Sequence, residues 1–197
     1  MARLYAIVGT VERARFMLEA GVPYLQLRFK GQPVAPYLEE IRAWRTRYPE
    51  SRVIVNDDLE AAVAASAWGL HLGQEDAQRY PPHRLNAAVR EHGLALGIST
   101  HDDVELARAK ALGARMVGFG PVFDTATKKL QHKPHGVEPL ARAVREFGLP
   151  VIAIGGIGEE TLDAVADTGV AMIAMIAYLE RLETPAQVHA LERRIAR

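Results

Sequence analysis

The chain has 197 residues, 49% of them hydrophobic, and its 24 basic and 24 acidic side chains balance to a formal net charge of zero. That length is one domain (residues 1–197) with ample core, and the balanced charge excludes bulk electrostatic attraction to nucleic acid or membrane, so any anion must be met locally. There is no cysteine, which excludes disulfides, thiolate metal sites and cysteine nucleophiles. In chain order, the apolar patterning predicts a strand over 4–8 and a helix over 11–21, then a strand over 24–29 and a helix over 35–48. The next units pair a strand over 52–56 with a helix over 58–67, a strand over 69–73 with a helix over 82–93, and a strand over 94–99 with a helix over 102–113. The last three pair strand 115–122 with helix 137–148, strand 150–156 with helix 160–169, and strand 170–176 with helix 184–196.

Each predicted strand is short, continuous and apolar, as parallel strands covered on both faces are. Five predicted helices end on Gly21, Gly93, Gly113, Gly148 or Gly169, the residue best suited to a left-handed C-terminal cap, and Thr184-Pro185 forms a cap and first-turn pair for the last. About eight βα units in this length predict an α/β fold, a single-domain (β/α)8 TIM barrel. The competing open, doubly wound sheet uses fewer strands, and no GxGxxG motif opens the first helix. The start MARLYAIVGT is too short in apolar residues for a signal core, and no apolar run approaches a membrane span. With the absence of cysteine, a cytoplasmic location is expected.

Chemistry in a barrel gathers at the C-terminal ends of its strands. Those ends read QLRFK, VNDD, HLGQED, GISTHDD, GPVFDTATKK, AIGGIG and AMIAY, with polar residues accumulating where the strands stop. Gln26 and Arg28 are two apart and share one strand face, as Lys30 does if the strand continues. Tyr24, Gln26, Arg28 and Lys30 then point into the barrel mouth and line a pocket for an anion, while Leu25, Leu27 and Phe29 pack outward on helices. Asp57 and Asp76 follow neighbouring strands and form a hard-cation site suited to Mg²⁺, although Asp57 also reads as the N-cap of the following helix. Thr125, Thr127 and Lys128 supply hydroxyls and an amine for phosphate. The glycines from Gly155 to Gly158 let backbone N–H groups approach a phosphate and lead into a helix N-terminus.

In LQLRFK, VNDD, GLHLGQED, LGISTHDD, GFGPVFDTATKK and VIAIGGI, in that order and spacing, the chain resembles the thiamine phosphate synthase (thiamine-phosphate pyrophosphorylase) family over nearly its whole length. The resemblance implies that Gln26, Leu27, Arg28, Phe29 and Lys30, with Asn56, Ser99 and Lys128, hold the diphosphate ester of an aminopyrimidine, and that Mg²⁺ sits on Asp57 and Asp76. It implies that a thiazole phosphate meets Thr125, Ala126, Thr127, Gly156, Ile176 and Ala177. Arg28, Lys30, Ser99 and Lys128 would be the groups acting in catalysis. The implied reaction joins the two small molecules to give thiamine phosphate and pyrophosphate.

Three positions depart from the usual pattern: Phe29 replaces a frequent Glu, Asp124 a frequent Pro, and Ala177 a phosphate-binding Ser. An extra carboxylate at Asp124 suits a phosphate site only if it points away or pairs with Lys129. The loss at Ala177 leaves backbone N–H groups to replace one hydroxyl contact. A related barrel, the thiazole tautomerase TenI, needs an acid/base histidine in place of Mg²⁺ and pyrophosphate, and His101 is the candidate here. A catalytically silent relative that binds thiamine precursors and regulates a partner is a further alternative. The presence of Asp76 favours the synthase over the tautomerase, and the joint presence of Lys30, Asp57, Asp76 and Lys128 favours it over the silent relative. No basic stripe supports nucleic-acid binding, and apolar outer-helix residues permit a homodimer.

Overall fold

Alternating apolar strand runs and amphipathic helices can bury both faces of a parallel sheet only by wrapping helices around it. The computed structural model, which describes residues 1–125 and 133–196, does so with eight strands closed into one barrel in sequence order. The strands are β1 Arg3–Val8, β2 Tyr24–Leu27, β3 Arg52–Asn56, β4 Gly69–Leu72, β5 Ala95–Thr100, β6 Met116–Phe119, β7 Val151–Ala153 and β8 Met172–Met175. Every neighbouring pair is parallel, including β8 with β1. The surrounding helices are α1 Val11–Glu19, α2 Leu38–Arg47, α3 Leu59–Ala64, α4 Gln74–Gln78, α5 Pro82–Glu91, α6 Asp103–Ala111, α7 Val137–Glu146, α8 Leu162–Ala166 and α9 Pro185–Ile195. Among the described residues, no helix is long and apolar enough to cross a membrane.

Local chemistry fixes the helix ends. Thr10, Asp58 and Asp102 accept hydrogen bonds from the backbone N–H groups of Arg13, Ala61 and Glu105 at 3.2, 2.8 and 2.8 Å. Such caps contribute about 1 kcal/mol each. Thr184 and Gln187 form a reciprocal capping box at α9, with Pro185 in the first turn as expected. The five glycines predicted to close helices all adopt positive φ.

Strand residues sort onto two faces with period two. Leu25 and Leu27 join the layer between barrel and helices, and Phe29 packs against it, edge to face with Tyr37 at 5.6 Å. A separate cluster fills the barrel: Tyr5, Ile7, Ile54, Ala95, Met116, Ile152, Met172 and Ala174, with Tyr24 and Trp68 packed on it. Leu25 and Leu27 face outward and Tyr24 and Gln26 inward, as the alternation predicted. Tyr24, however, packs in the barrel filling against Tyr5 and Trp68 and does not line the mouth, because it enters the sheet at the N-terminal end of β2.

Three local features differ from the sequence expectation. β2 ends at Leu27 rather than continuing to Phe29, because Leu27 pairs with Val8, the last residue of β1, and only the Arg28 N–H to Val8 carbonyl bond extends the ladder. The HLGQED segment does not remain a loop: Gly73 starts α4, with Glu75 and Asp76 in a first turn that favours negative charge. The glycines of GGIG do not lead directly into a helix, since α8 begins at Leu162 after a turn in which the Thr161 hydroxyl accepts from the Gly158 N–H at 3.0 Å.

Candidate active site

At the C-terminal ends of the strands the barrel opens into a cavity of about 480 Å³. Its wall includes Gln26, Arg28, Asn56, Asp76, Ser99, Thr125, Gly156, Ile176 and Ala177, nine positions singled out from the sequence. Leu27 and Phe29 belong to the helix-facing layer instead, so any role at the cavity would run through their backbone. Lys30 is exposed on the turn after β2 and is not part of the cavity wall, a consequence of the early end of that strand. Ala126, Thr127 and Lys128 lie outside the described residues, as does Lys129.

A polar chain crosses the floor from β2 to the carboxylates. The Gln26 side chain, only 2% exposed, donates its amide N–H to Asn56 Oδ1 at 2.5 Å, and the Asn56 amide donates to an Asp57 carboxylate oxygen. Asp57 holds φ at +64°, the left-handed region that short polar side chains tolerate best among non-glycine residues, and its N–H bonds the His71 carbonyl at 2.9 Å. The N-cap of α3 is Asp58, not Asp57, which leaves the Asp57 carboxylate directed to Asn56 and Asp76. Burial pushes the Asp57 carboxyl above the usual carboxylate range, and the neighbouring Asp76 carboxyl adds to the shift. The Gly73 N–H and the Arg28 cation oppose it. Asp76 in turn pairs with Arg79 at 3.0 Å.

Two hard carboxylates held together, one of them destabilised by burial and like charge, fit a small divalent cation that completes its shell with water and substrate oxygens. No group of three or more metal-ligating side chains exists among the described residues, so a site supplied wholly by them, such as a zinc site, is not present there.

Beside that chain, where His71 of β4 pairs with Asn56 of β3, His71 Nε2 lies 3.1 Å from Ser99 Oγ, and the Gln74 amide donates to the Ser99 carbonyl at 2.6 Å. Burial, with the Arg28 charge adding to it, pushes the His71 imidazole down to about 4, so it is neutral at physiological pH. His101 also lines the cavity, and both its ring Nδ1 and its backbone N–H bond Glu105 in the first turn of α6, at 2.8 and 2.7 Å. These contacts tie His101 to the start of its own helix.

Gly156 completes the far side. Its φ is +66°, and a Cβ there would stand 2.4 Å from the Asp124 carbonyl oxygen, so only glycine allows the loop after β6 to approach so closely. Asp124 itself is exposed and outside the cavity wall, which removes the objection to a carboxylate beside a phosphate site. Beyond Ala177, the Arg13 guanidinium bonds the carbonyls of Leu179 and Leu182, the latter at 2.7 Å, and ties down the turn that follows β8.

Several wall residues were not singled out from sequence. Ile7 and Ile154 sit two residues beyond interior positions Tyr5 and Ile152, a periodic signal that was there to be used. Gln74, Glu105, Met175 and Tyr178 carry no comparable signal, since their place depends on where α4, α6 and β8 begin and end.

The site is a polar cavity at the C-terminal mouth of a parallel barrel, the place where barrels of this class receive small molecules. The chain belongs to the thiamine monophosphate synthase family, whose model matches residues 4–179. It is 40% identical over 180 residues to the thiamine-phosphate synthase of Cronobacter sakazakii, covering 89% of this chain and 83% of that one. It is 41% identical to the one from Shigella boydii, again over 89% and 83% of the two chains. Among solved structures it is similar to a thiamine phosphate pyrophosphorylase from Pyrococcus furiosus, with TM-score 0.81, 29% identity and coverage of 98% and 95%.

Proposed function

We infer that the chain is a thiamine phosphate synthase, joining 4-amino-2-methyl-5-(diphosphomethyl)pyrimidine to 4-methyl-5-(2-phosphoethyl)thiazole with release of pyrophosphate, or to its carboxylate form with release of pyrophosphate and CO2. The observation that carries this reading is the convergence of Gln26, Arg28, Asn56, Asp76 and Ser99 with Thr125 and Gly156 on one cavity. The first five come from strands β2 to β5 and the segments that follow them, Asp76 from the first turn of α4; the last two lie across the mouth after β6 and β7. That division suits two substrates, each with its own phosphate, meeting in the middle.

In the reaction, the C–O bond of the diphosphate ester breaks with its electron pair on the departing pyrophosphate. The thiazole nitrogen lone pair forms the new C–N bond. No proton need be removed from the nucleophile, so a general base is unnecessary. Arg28 offers a planar, permanently charged fork to the diphosphate as negative charge builds on it. Gln26 and Asn56 hold one another in place and present their remaining amide groups to the aminopyrimidine side. Ser99 adds a hydroxyl donor from β5, on the same side of the mouth. Asp57 and Asp76 would hold Mg²⁺, which when bound supplies charge neutralisation to the leaving group. Lys30 and Lys128 remain candidates to close over the diphosphate, Lys30 from its exposed turn. Apolar wall residues Ile7, Ile154 and Met175 exclude water from the reacting carbon.

The test is formation of thiamine phosphate and pyrophosphate from both substrates, with Mg²⁺, with EDTA, and for Asp76→Ala. Product that requires Mg²⁺ and falls by roughly 10²-fold or more in the variant is expected. A folded protein that makes no product under any condition overturns the reading. His101, held by Glu105 at the cavity wall, then makes thiazole tautomerisation the reaction to assay next.

A further inference from the structure

The barrel leaves two interior positions without side chains around a single ring. In the register of the sheet, His71 of β4 stands opposite Gly97 of β5, and Ser99 stands opposite Gly118 of β6. A methyl group at Gly97 would lie 2.7 Å from His71 Nδ1, and one at Gly118 would lie 3.5 Å from Cε1. The ring is therefore fixed on two sides by backbone, and His71 is only 9% exposed.

Its two nitrogens have different surroundings. Nε2 lies 3.1 Å from Ser99 Oγ, while Nδ1 is buried without a hydrogen-bond partner among the described residues and faces the methylene of Gly97. A C–H group is a weak donor and no acceptor. A proton on Nδ1 would be a buried donor with nothing to receive it, which is the rarer and more costly arrangement, whereas a lone pair there meets a C–H. The proton therefore belongs on Nε2. With Nε2–H donating to Ser99 Oγ, the serine cannot direct its own hydrogen back at the ring, and that hydrogen turns to the cavity.

We propose that His71 is a positioning residue: its Nε2–H tautomer, set by the glycine-lined slot, aims the Ser99 hydroxyl at the departing diphosphate. The role rests on the synthase reading above. It also explains why a histidine stands on the cavity wall of a reaction that needs no general base.

Two measurements test it. In ligand-free protein, ¹⁵N–¹H correlation of the His71 ring is expected to show a protonated Nε2 and an unprotonated Nδ1; the opposite tautomer overturns the proposal whatever the activity. In steady-state assays at saturating Mg²⁺, Ser99→Ala is expected to lower kcat by about 10²-fold. His71→Leu should lower it by about ten-fold or more, and His71→Gln, which can return an N–H near the same place, should recover most of that loss. The double variant His71→Leu/Ser99→Ala should be no slower than Ser99→Ala alone, because His71 acts through the serine. A further loss in the double variant would show a separate structural effect and overturn the proposal. Wild-type protein that makes no product sinks the synthase reading itself; an active wild type with the wrong tautomer sinks only the role of His71.

Discussion

The two ends of the barrel interior use the same alternating strand positions and differ in what occupies them. At the N-terminal ends of the strands, Tyr5 and Tyr24 stack at 5.9 Å and Trp68 meets Tyr24 edge-on at 5.7 Å. The Arg52 guanidinium lies over both Tyr24 and Trp68, at 5.0 and 5.4 Å, and donates to the Tyr24 hydroxyl at 3.2 Å. At the C-terminal ends the equivalent faces carry Gly97, Ser99, Gly118 and Ala174. One end is a plug of rings and the other a cavity, although both obey one inward-facing period. Side-chain volume, not the pattern of polarity, decides which interior positions fill the barrel and which leave room for a substrate.

That contrast can be broken most severely by filling the open end. Gly118→Leu places its Cβ in ordinary contact with His71 and Ser99, at 3.5 Å or more, so the fold is expected to accept it while the side chain occupies the cavity. Thiamine phosphate formation should fall by roughly 10³-fold, about 4 kcal/mol of transition-state stabilisation, with the urea midpoint little changed. Retained activity would show that substrates do not use the interior of the mouth. The reverse experiment empties the closed end. Tyr5 is 1% exposed, and Tyr5→Ala should lower stability by about 3–5 kcal/mol while kcat of the folded fraction stays near wild type. A loss of kcat without a loss of stability would place functional coupling at the plug.

The two ends were unequally legible from sequence. Eight apolar runs separated by helical ones specify the barrel, and the barrel rule specifies where chemistry lies, so Gln26, Arg28, Asn56 and Asp76 were found without knowing which strands touch. Position along one strand could not say where pairing stops. β2 ends when its neighbour β1 ends, and that fact removes Lys30 from the wall. Nor could it show that His71 and Ser99 meet, because the contact depends on the offset between β4 and β5. Asp57 was legible as a carboxylate at a strand end, but not as a residue in left-handed backbone with the cap one position later. Glycines inside apolar runs were the overlooked signal: Gly97 and Gly118 mark space, and space is what separates the mouth from the plug.

Acid and alkali probe the same contrast with the smallest expected effect, because each end buries a titratable ring in its neutral form, His71 at the mouth and Tyr5 in the plug. His71 is pushed from its ordinary value of 6.5 to about 4, chiefly by burial. Between those values the unfolded chain binds a proton that the folded chain refuses, so stability is complete above pH 6.5 and is lost as pH falls toward 4. At pH 5 the loss is about 2 kcal/mol relative to pH 7.5. Tyr5 shifts the other way: burial, then the nearby Tyr24, raises its pKa above the ordinary value of 10.0. Above pH 10 the unfolded chain releases a proton that the folded chain keeps, so the plug loses stability as pH rises. Urea midpoints measured across pH should fall on both limbs, with His71→Gln flattening only the acid limb and Tyr5→Phe only the alkaline one. If either substitution flattens both limbs, the two ends do not titrate independently. If His71→Gln leaves the acid limb unchanged, carboxylates rather than the imidazole control the acid sensitivity of the open end.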